Sequence, residues 1–241
     1  HGGLRILPPF GYSGKREGLY RGRMDALAGI RSYIQNIRQD YVVLAGGDLA
    51  VNLPLKDIFE THIRNDADIT AVCTGHPKGA PKGCDYFTIG AGGRITDVSI
   101  HPPIAQGCES LEVYVLSKEL LLSLVDHCAA HNIYSFSTGV LQSMVGQLKI
   151  CPYVFDGYAA RLQSVAGYFA RSMELLDPQV REQLFVPERP VRTKDRSDPS
   201  TYYGPDSRSF NSLVADGCII EGEVENSILF RGVRVEKGAK V

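Results

Sequence analysis

A six-residue spacing of apolar side chains near the C-terminus constrains the fold of this chain more than any other feature. Val214 and Ile220 are six residues apart, and the same interval separates Leu229, Val235 and Val241. Four glycines occupy turn positions between them: Gly217, Gly222, Gly232 and Gly238. This period predicts the coils of a hexapeptide β-helix, in which each coil buries a small apolar layer against the next. Since such stacks usually need about three or more repeats, we expect this region either to be cut short or to lean on the rest of the chain.

Upstream of this region, helical and strand-type segments alternate. The apolar positions of a first helix recur at intervals of three and four: Leu27, Ile30, Ile34 and Ile37. Residues 41–45 then predict a buried strand. A second helix precedes a further strand-type run at 69–73, and its expected apolar face consists of Ile58, Phe59 and Ile63. Such alternation predicts an α/β domain with a mostly parallel sheet that is covered on both faces.

The remaining pattern predicts a hairpin at 86–100, a strand at 111–116, a helix at 118–131, a strand at 149–155 and a helix at 164–177 that Pro178 ends. From 187 to 209 the composition changes to Pro, Arg, Asp and Ser, as expected of a linker. We therefore divide the chain into a first domain at 1–186, a linker at 187–209 and the beginning of a hexapeptide β-helix domain at 210–241.

Composition excludes several classes of partner. The formal net charge is −1, with 26 basic and 27 acidic residues, so the chain has no electrostatic footprint for nucleic acid or an anionic membrane. No apolar run approaches the ~18 residues of a spanning helix. Six cysteines are scattered without paired spacing, which predicts reduced thiols and a cytoplasmic location. The chain opens with His-Gly-Gly, so we expect it to begin inside a larger gene product.

Three stretches resemble one enzyme family. Residues 19–27 match the family's W-Y-R-G-T-A-D-A-V, and residues 41–48 match its Y-V-V-I-L-A-G-D. Residues 211–235 match N-S-L-V-S-G-G-C-V-I-S-G through S-V-L-F-S-R-V-R-V. The family is that of the glucose-1-phosphate adenylyltransferases, or ADP-glucose pyrophosphorylases, which activate glucose 1-phosphate for glycogen and starch synthesis.

The resemblance implies a fold and a nucleotide site. It implies a Rossmann-like, GT-A-like nucleotidyltransferase domain with a mixed sheet, without the family's first strand and Gly-rich loop, followed by the start of a left-handed parallel β-helix. It assigns nucleotide-binding positions to Tyr20, Gly22, Asp25, Gly47 and Asp48. Asp48 also stands where the family has its first Mg²⁺ ligand, at the carboxyl end of a strand. The residues alone equally allow Asp48 to cap the following turn.

Arg161 stands where the resemblance places the second Mg²⁺ ligand of the family. The family's segment F-x-G-Y-W-R-D-V-G-T supplies an Asp there, and residues 155–161 align with its first seven positions. A guanidinium has five donors and no acceptor, so it cannot ligate a hard cation. We therefore expect Asp48 and Arg161 to form a salt bridge instead of a metal site. This chain is expected to hold no metal or cofactor, and Mg²⁺ to be bound by a catalytic partner.

The positions that the resemblance assigns to the sugar phosphate have changed as well. The Lys of the family's V-E-K-P becomes His101, and Asp85 replaces the Gly of its F-G-V. The family's S-M-G-I-Y-V-F aligns with residues 110–116, which keeps Ser110 and places Glu112 where a glycine lets the sugar approach. We interpret Asp85, His101, Ser110 and Glu112 as vestiges of a sugar-phosphate site.

Two further patterns allow more than one interpretation. His127 and His131 are four residues apart on a predicted helix, so they either ligate zinc or lie at a solvated helix end. A basic cluster near the N-terminus is either a solvated face or a site for an anionic effector or a nucleotide phosphate. It consists of Arg5, Lys15, Arg16, Arg21 and Arg23.

The resemblance with these departures implies a regulatory, catalytically inactive subunit of a glucose-1-phosphate adenylyltransferase, which assembles with a catalytic chain into a hetero-oligomer, expected to be a tetramer. One alternative is a competent sugar-1-phosphate nucleotidyltransferase, which the retained nucleotide positions favour and the changed residues Arg161, His101 and Glu112 oppose. A second is a hexapeptide acyltransferase. That class needs more coils and a histidine among them, whereas no histidine follows His131.

Overall fold

The computed structural model describes residues 3–7, 20–75, 83–194 and 196–241. It divides into two compact units, one formed by residues 1–47 and 54–156 and the other by residues 48–53 and 157–241. The boundary at residue 157 differs from the division expected at residue 187. The reason is that the short segment 48–53 pairs with the chain immediately after residue 156.

The secondary-structure elements follow in chain order. The helices are α1 (Arg23–Gly29), α2 (Arg31–Asn36), α3 (Leu55–Arg64), α4 (Lys118–Ala130), α5 (Val165–Met173) and α6 (Pro178–Leu184), with a π-helical segment at Ser137–Gln142 and a 3₁₀ turn at Glu174–Leu176. The longer strands are β1 (Tyr41–Leu44), β2 (Leu49–Val51), β3 (Ile69–Thr74), β4 (Tyr86–Ile89), β5 (Ile95–Ser99), β6 (Cys108–Ser117), β7 (Ile150–Val154) and β8 (Ala159–Arg161). Short strands follow: β9 (Tyr202–Tyr203), β10 (Arg208–Phe210), β11 (Leu213–Val214), β12 (Ile219–Ile220), β13 (Glu223–Glu225), β14 (Ile228–Leu229) and β15 (Arg234–Val235).

A six-stranded mixed sheet forms the first unit, in the order β5-β4-β6-β3-β7, with β1 also paired to β6. The pair β3–β7 is parallel, and β6 runs antiparallel to β1, β3 and β4. The mixed sheet is therefore confirmed, and the expectation of a mostly parallel sheet is wrong. Helix–strand alternation could not reveal this, because β6 follows a hairpin and enters the middle of the sheet in the reverse direction.

The core of the first unit lies between this sheet and helices α1, α2 and α4. The strand expected at 69–73 is present as β3, and every one of its residues is buried, including the polar Thr70 and Thr74. On α4, Leu121, Leu124, Val125 and Cys128 form the buried stripe. Ser117 caps that helix, because its Oγ accepts the N–H of Leu120 at 3.1 Å. The predicted apolar face of the first helix is divided between α1 and α2.

Two expectations about burial are wrong. The strand at 41–45 is an edge strand, and Tyr41 and Val43 remain 39% and 48% exposed. On α3, Phe59 and Ile63 are exposed, whereas Ile58 and His62 are buried. Ile58 and His62 are four residues apart and so lie on the same face of the helix. The buried face therefore contains a histidine, whereas the pattern predicted a face of Ile58, Phe59 and Ile63.

In the second unit, β2 pairs antiparallel with β8, and helices α5 and α6 follow. Ser164 caps α5, since its Oγ accepts the N–H of Gly167 at 3.0 Å. The predicted helix ends early, at Met173, and Pro178 is the first residue of α6 instead of the end of a helix. A proline suits that first position, because its missing N–H would have no intrahelical partner there.

The C-terminal strands pair in parallel, and β10, β11 and β12 each meet a partner fifteen residues further along the chain. Five side chains form the buried layer between successive turns: Cys218, Ile220, Val224, Leu229 and Val235. Val241 is 52% exposed, in contrast to the other apolar positions of the period. Strand β9 lies inside the segment predicted as linker, and β10 begins inside it, so the stacked region starts near Tyr202.

The described helices include none that is both long and apolar enough to cross a membrane. All six cysteines are free thiols.

Candidate functional site

Strand pairing brings Asp48 and Arg161 together. In the antiparallel pair β2–β8, Leu49 faces Arg161, and the N–H of Leu162 donates to the carbonyl of Asp48 at 2.7 Å. Arg161 Nη1 lies 3.7 Å from Asp48 Oδ2. The Arg161 side chain is 5% exposed and that of Asp48 is 39% exposed. The expected salt bridge is therefore present, and its more deeply buried member is the cation.

These residues do not fit a magnesium ion. Mg²⁺ requires oxygen ligands, and the guanidinium beside Asp48 offers only donors. Within the described ranges, no three His, Cys, Asp or Glu side chains converge in a way that could hold a metal. The carboxylate of Asp48 instead has a positively charged neighbour within the chain.

The residues assigned to the nucleotide position organise the start of α1. A Cβ at Gly22 would lie 2.3 Å from the carbonyl oxygen of Tyr134, so only glycine fits there. Asp25 accepts the backbone N–H of Arg21 at 3.0 Å and its Nε at 3.3 Å. Tyr20 packs against Gly29. These contacts give the retained motif a structural role that does not require a nucleotide.

Gly47 has no comparable restriction, since a Cβ there would meet no atom within 4 Å.

Asp85 and His101, two of the changed sugar-phosphate positions, also face each other. Asp85 is 3% exposed, and its Oδ1 lies 3.6 Å from His101 Nε2, too far for a hydrogen bond. Within the described residues, that oxygen accepts no hydrogen bond. A buried carboxylate oxygen in this condition is costly, so it calls for a specific explanation, such as a functional role or a bound water or ion.

Ser110 and Glu112 lie at an irregularity of β6. Val72 of β3 faces Val113, but the next residue, Cys73, faces Ser110, so β6 holds two additional residues at this point. Glu112 has a φ of 53°, which favours glycine. The backbone thus keeps the shape of the family's glycine while the side chain is a carboxylate.

Arg23 provides the partner of that carboxylate. Its Nη2 donates to Glu112 Oε2 at 2.7 Å, and its Cζ lies 5.8 Å from the ring centroid of Tyr114. The Tyr114 hydroxyl is within 3.3 Å of Ser110 Oγ. Burial raises the pKa of Tyr114 to about 12, and the Ser110 hydrogen bond and the charge of Arg23 act in the opposite direction.

Comparison with known proteins gives a consistent result. The chain is 32% identical over 209 residues to the glycogen biosynthesis protein GlgD of Bacillus subtilis (strain 168), and 37% identical over 209 residues to that of Geobacillus stearothermophilus. Each match covers 87% of this chain and 51% of the relative. The glucose-1-phosphate adenylyltransferase of Thermotoga neapolitana (strain ATCC 49049 / DSM 4359 / NBRC 107923 / NS-E) is 28% identical over 246 residues, which covers all of this chain and 58% of that enzyme. Residues 201–241 match the family described as GlmU-like, C-terminal hexapeptide.

The chain belongs to the family of glucose-1-phosphate adenylyltransferases and GlgD proteins. It spans about half the length of the GlgD relatives that it matches. The hexapeptide match begins at residue 201, which agrees with the start of β9 and with a linker shorter than the one expected at 187–209.

Residues that depart from the adenylyltransferase pattern lie in contact with other residues of the same candidate site. Arg161 pairs with Asp48, and His101 faces Asp85. Arg23, where the family motif has Thr, pairs with Glu112, where it has Gly. The sequence interpretation placed Arg23 only in a basic cluster and missed this contact, because its partner is 89 residues away. The one available signal was that both positions depart from the family motif with opposite charges.

The basic cluster is largely occupied by internal contacts. Arg21 pairs with Asp25 and stacks on the ring of Tyr134, with Cζ 3.7 Å from its centroid. Arg5 lies over Tyr33 at 5.3 Å. Lys15 and Arg16 lie outside the described residues.

The histidine pair lies at the end of α4, as its spacing predicts. The rings of His127 and His131 are 4.3 Å apart, and His131 Nδ1 lies 2.8 Å from the carbonyl oxygen of His127. Both side chains are on the surface, which agrees with a solvated helix end.

Proposed function

We propose that this chain acts in glycogen biosynthesis as a regulatory, non-catalytic subunit of a glucose-1-phosphate adenylyltransferase, whose assembly converts ATP and glucose 1-phosphate to ADP-glucose and pyrophosphate. The observation that carries the proposal is the ion pair between Asp48 and Arg161. A cation occupies the position that the family pattern gives to a metal-binding carboxylate.

The replacement of a metal-binding carboxylate by Arg161 has a large electrostatic effect on a reaction of this kind. Metal-assisted charge stabilisation contributes several kcal/mol to such transfers. Replacing one of two carboxylates by Arg changes the local charge from about −2 to about zero. A metal ion at Asp48 would have to approach the buried guanidinium. We therefore assign Mg²⁺ to the catalytic partner.

A catalytically competent enzyme is the alternative that the retained motif favours. Gly22 and Asp25 are kept, yet their contacts with Tyr134 and Arg21 explain their retention by folding alone. This weakens the case that they were kept for a nucleotide.

Assembly with a catalytic homologue is the proposed role. We assign the C-terminal stack to the beginning of a left-handed parallel β-helix, which the parallel pairing of β10–β15 and the hexapeptide match support. We further propose a hetero-oligomer, a tetramer, in the cytoplasm, with an anionic effector or a nucleotide as a ligand that the assembly can respond to.

The catalytic part of the proposal is tested by pyrophosphate release from ATP, glucose 1-phosphate and Mg²⁺. The purified chain is expected to show no turnover above background, because its metal position is neutralised. A catalytic glucose-1-phosphate adenylyltransferase serves as the positive control. Turnover within about tenfold of that control, or about 1.4 kcal/mol in barrier height, would overturn the proposal.

The regulatory part is tested by co-expression with a catalytic homologue from the same genome, followed by size-exclusion chromatography and kinetics. We expect co-elution of the two chains and a changed substrate or effector response of the catalytic chain. Separate elution together with unchanged kinetics would contradict a subunit role.

A further inference from the structure

Glu112 adopts a backbone conformation that is unfavourable for its residue type. Its φ of 53° lies in the left-handed region, where a Cβ crowds the backbone. The position coincides with the two additional residues of β6, opposite the step from Val72 to Cys73. Irregularities of this kind re-aim side chains and are frequent beside binding sites. A conformation of this kind persists only where the surroundings hold it in place.

Two contacts hold Glu112. The hydroxyl of Ser110 accepts its backbone N–H at 3.1 Å, and its carboxylate accepts Arg23 Nη2 at 2.7 Å. The Glu112 and Arg23 side chains are only 28% and 26% exposed, so water screens their attraction less than at an open surface.

Arg23 is itself fixed by its neighbours in the chain. Gly22 approaches the carbonyl of Tyr134 too closely for any other residue, and the N–H of Met24 donates to the same oxygen at 3.0 Å. Arg23 lies between these two anchors, so its backbone is held in place at the point from which its guanidinium reaches Glu112.

Polar groups that suit a hydroxyl-rich ligand lie beside this ion pair. Asp85 is buried with an oxygen that accepts no hydrogen bond from the described residues, and its backbone carbonyl accepts the N–H of Ser110 at 2.8 Å. Ser110 and Tyr114 add two buried hydroxyl groups. Carboxylate and hydroxyl groups are the partners that sugar hydroxyls bind.

We propose that the Arg23–Glu112 ion pair is an internal plug, which blocks the access of a sugar phosphate to these polar groups. This inference rests on the proposed function, since it explains why a member of the adenylyltransferase family would not take up glucose 1-phosphate itself. The plug consists of one side chain from the start of α1 and one from β6, and both are larger than the Thr and Gly of the family motif.

The test is equilibrium binding of glucose 1-phosphate, and separately of glucose, to the full 241-residue chain by ligand-observed NMR and calorimetry. The wild-type chain is expected to show no saturable binding at millimolar concentrations. The double variant Arg23→Thr/Glu112→Gly is expected to bind glucose 1-phosphate at least about tenfold more tightly than the wild type, a difference of about 1.4 kcal/mol. Binding of glucose reports recognition of the hydroxyl groups, and the difference in affinity between glucose and glucose 1-phosphate reports recognition of the phosphate.

A matched control removes another Arg–carboxylate pair of the same unit, through Arg31→Ala/Asp126→Ala. That pair lies on an exposed surface, so its removal is expected to leave binding unchanged. If the first double variant does not fold, Glu112→Gly alone replaces it, because glycine suits the φ of 53°.

Saturable binding by the wild-type chain equal to that of the variants would overturn the plug. So would a folded Arg23→Thr/Glu112→Gly or Glu112→Gly chain that binds no better than the wild type. The assembly experiment is independent of these measurements. If the wild-type chain binds glucose 1-phosphate, yet assembles with its partner and shows no turnover of its own, the plug is contradicted and the proposed function is still supported.

Discussion

Arg161 Nη1 lies 3.7 Å from Asp48 Oδ2, and the cation is the buried member of the pair, with a side chain 5% exposed against 39% for the carboxylate. An antiparallel pairing of two three-residue strands, β2 and β8, creates this contact. The arrangement makes Asp48 a counter-charge for a buried guanidinium.

Asp48→Asn should therefore lower the free energy of unfolding by about 0.5–1 kcal/mol, the modest value expected when one partner is accessible to water. The difference should shrink in about 1 M salt, where the Debye length falls to about 3 Å. Urea denaturation at low and high salt measures both effects. Asp156→Asn, at an exposed carboxylate of the other unit, serves as control, and equal effects of the two substitutions would show that the pair contributes nothing.

Arg161→Ala should be more damaging, by about 1–3 kcal/mol, because it removes packing by a buried side chain as well as a charge. Thermal and urea denaturation report this directly. An unchanged or raised melting temperature would mean that the buried guanidinium is not stabilising.

Glycine at position 112 should relieve the backbone strain that lowers the stability of the chain when this residue is glutamate. Glu112→Gln removes the charge of the Arg23 partner and keeps the left-handed backbone, whereas Glu112→Gly removes the charge and relieves a strain of about 1–2 kcal/mol. We expect Glu112→Gly to be more stable than Glu112→Gln by about 1 kcal/mol. The reverse order in urea denaturation would contradict the strained conformation.

Gly22→Ala should destabilise the first unit by about 2–4 kcal/mol, in the range of severe steric changes, because the added Cβ would lie 2.3 Å from the carbonyl oxygen of Tyr134. Gly47→Ala is the matched control, since a Cβ there meets no atom within 4 Å. Circular dichroism melts of both variants give the comparison, and similar melting temperatures would mean that the α1 start is not held against Tyr134.

His62 should make stability depend on pH below neutrality. Burial lowers the pKa of His62 from its usual value near 6.5, and the nearby charges of Asp68 and Asp66 oppose this only in part. Between the lowered value and about 6.5, the unfolded chain binds a proton that the folded chain does not. The contribution of His62 to the free energy of unfolding should therefore have its full value above about pH 6.5 and decrease as the pH falls below it.

The substitution His62→Gln should flatten this pH dependence, while His131→Gln, at an exposed histidine, should leave it unchanged. Urea denaturation at a series of pH values between neutrality and mild acid provides the measurement. An identical slope in the wild type and in His62→Gln would exclude His62 as its source.

The local periodicity of apolar residues was sufficient to predict many elements of the fold. The strand β3, the hairpin β4–β5, helix α4 and the six-residue spacing of the buried side chains Leu229 and Val235 were all expected from sequence and are present. Each depends on neighbours within a few residues, where side-chain spacing directly reflects which face is buried.

Features that depend on distant partners required the tertiary structure. Only the sheet order shows that Tyr41 begins an edge strand, and only the packing of α3 shows that His62 is buried in place of Phe59. The sequence alone determined that Arg161 could not bind a metal, because that follows from the chemistry of one side chain. The contact of Arg23 with Glu112, across 89 residues, was decided by the irregular register of β6, which no local pattern encodes, because register depends on the pairing of whole strands.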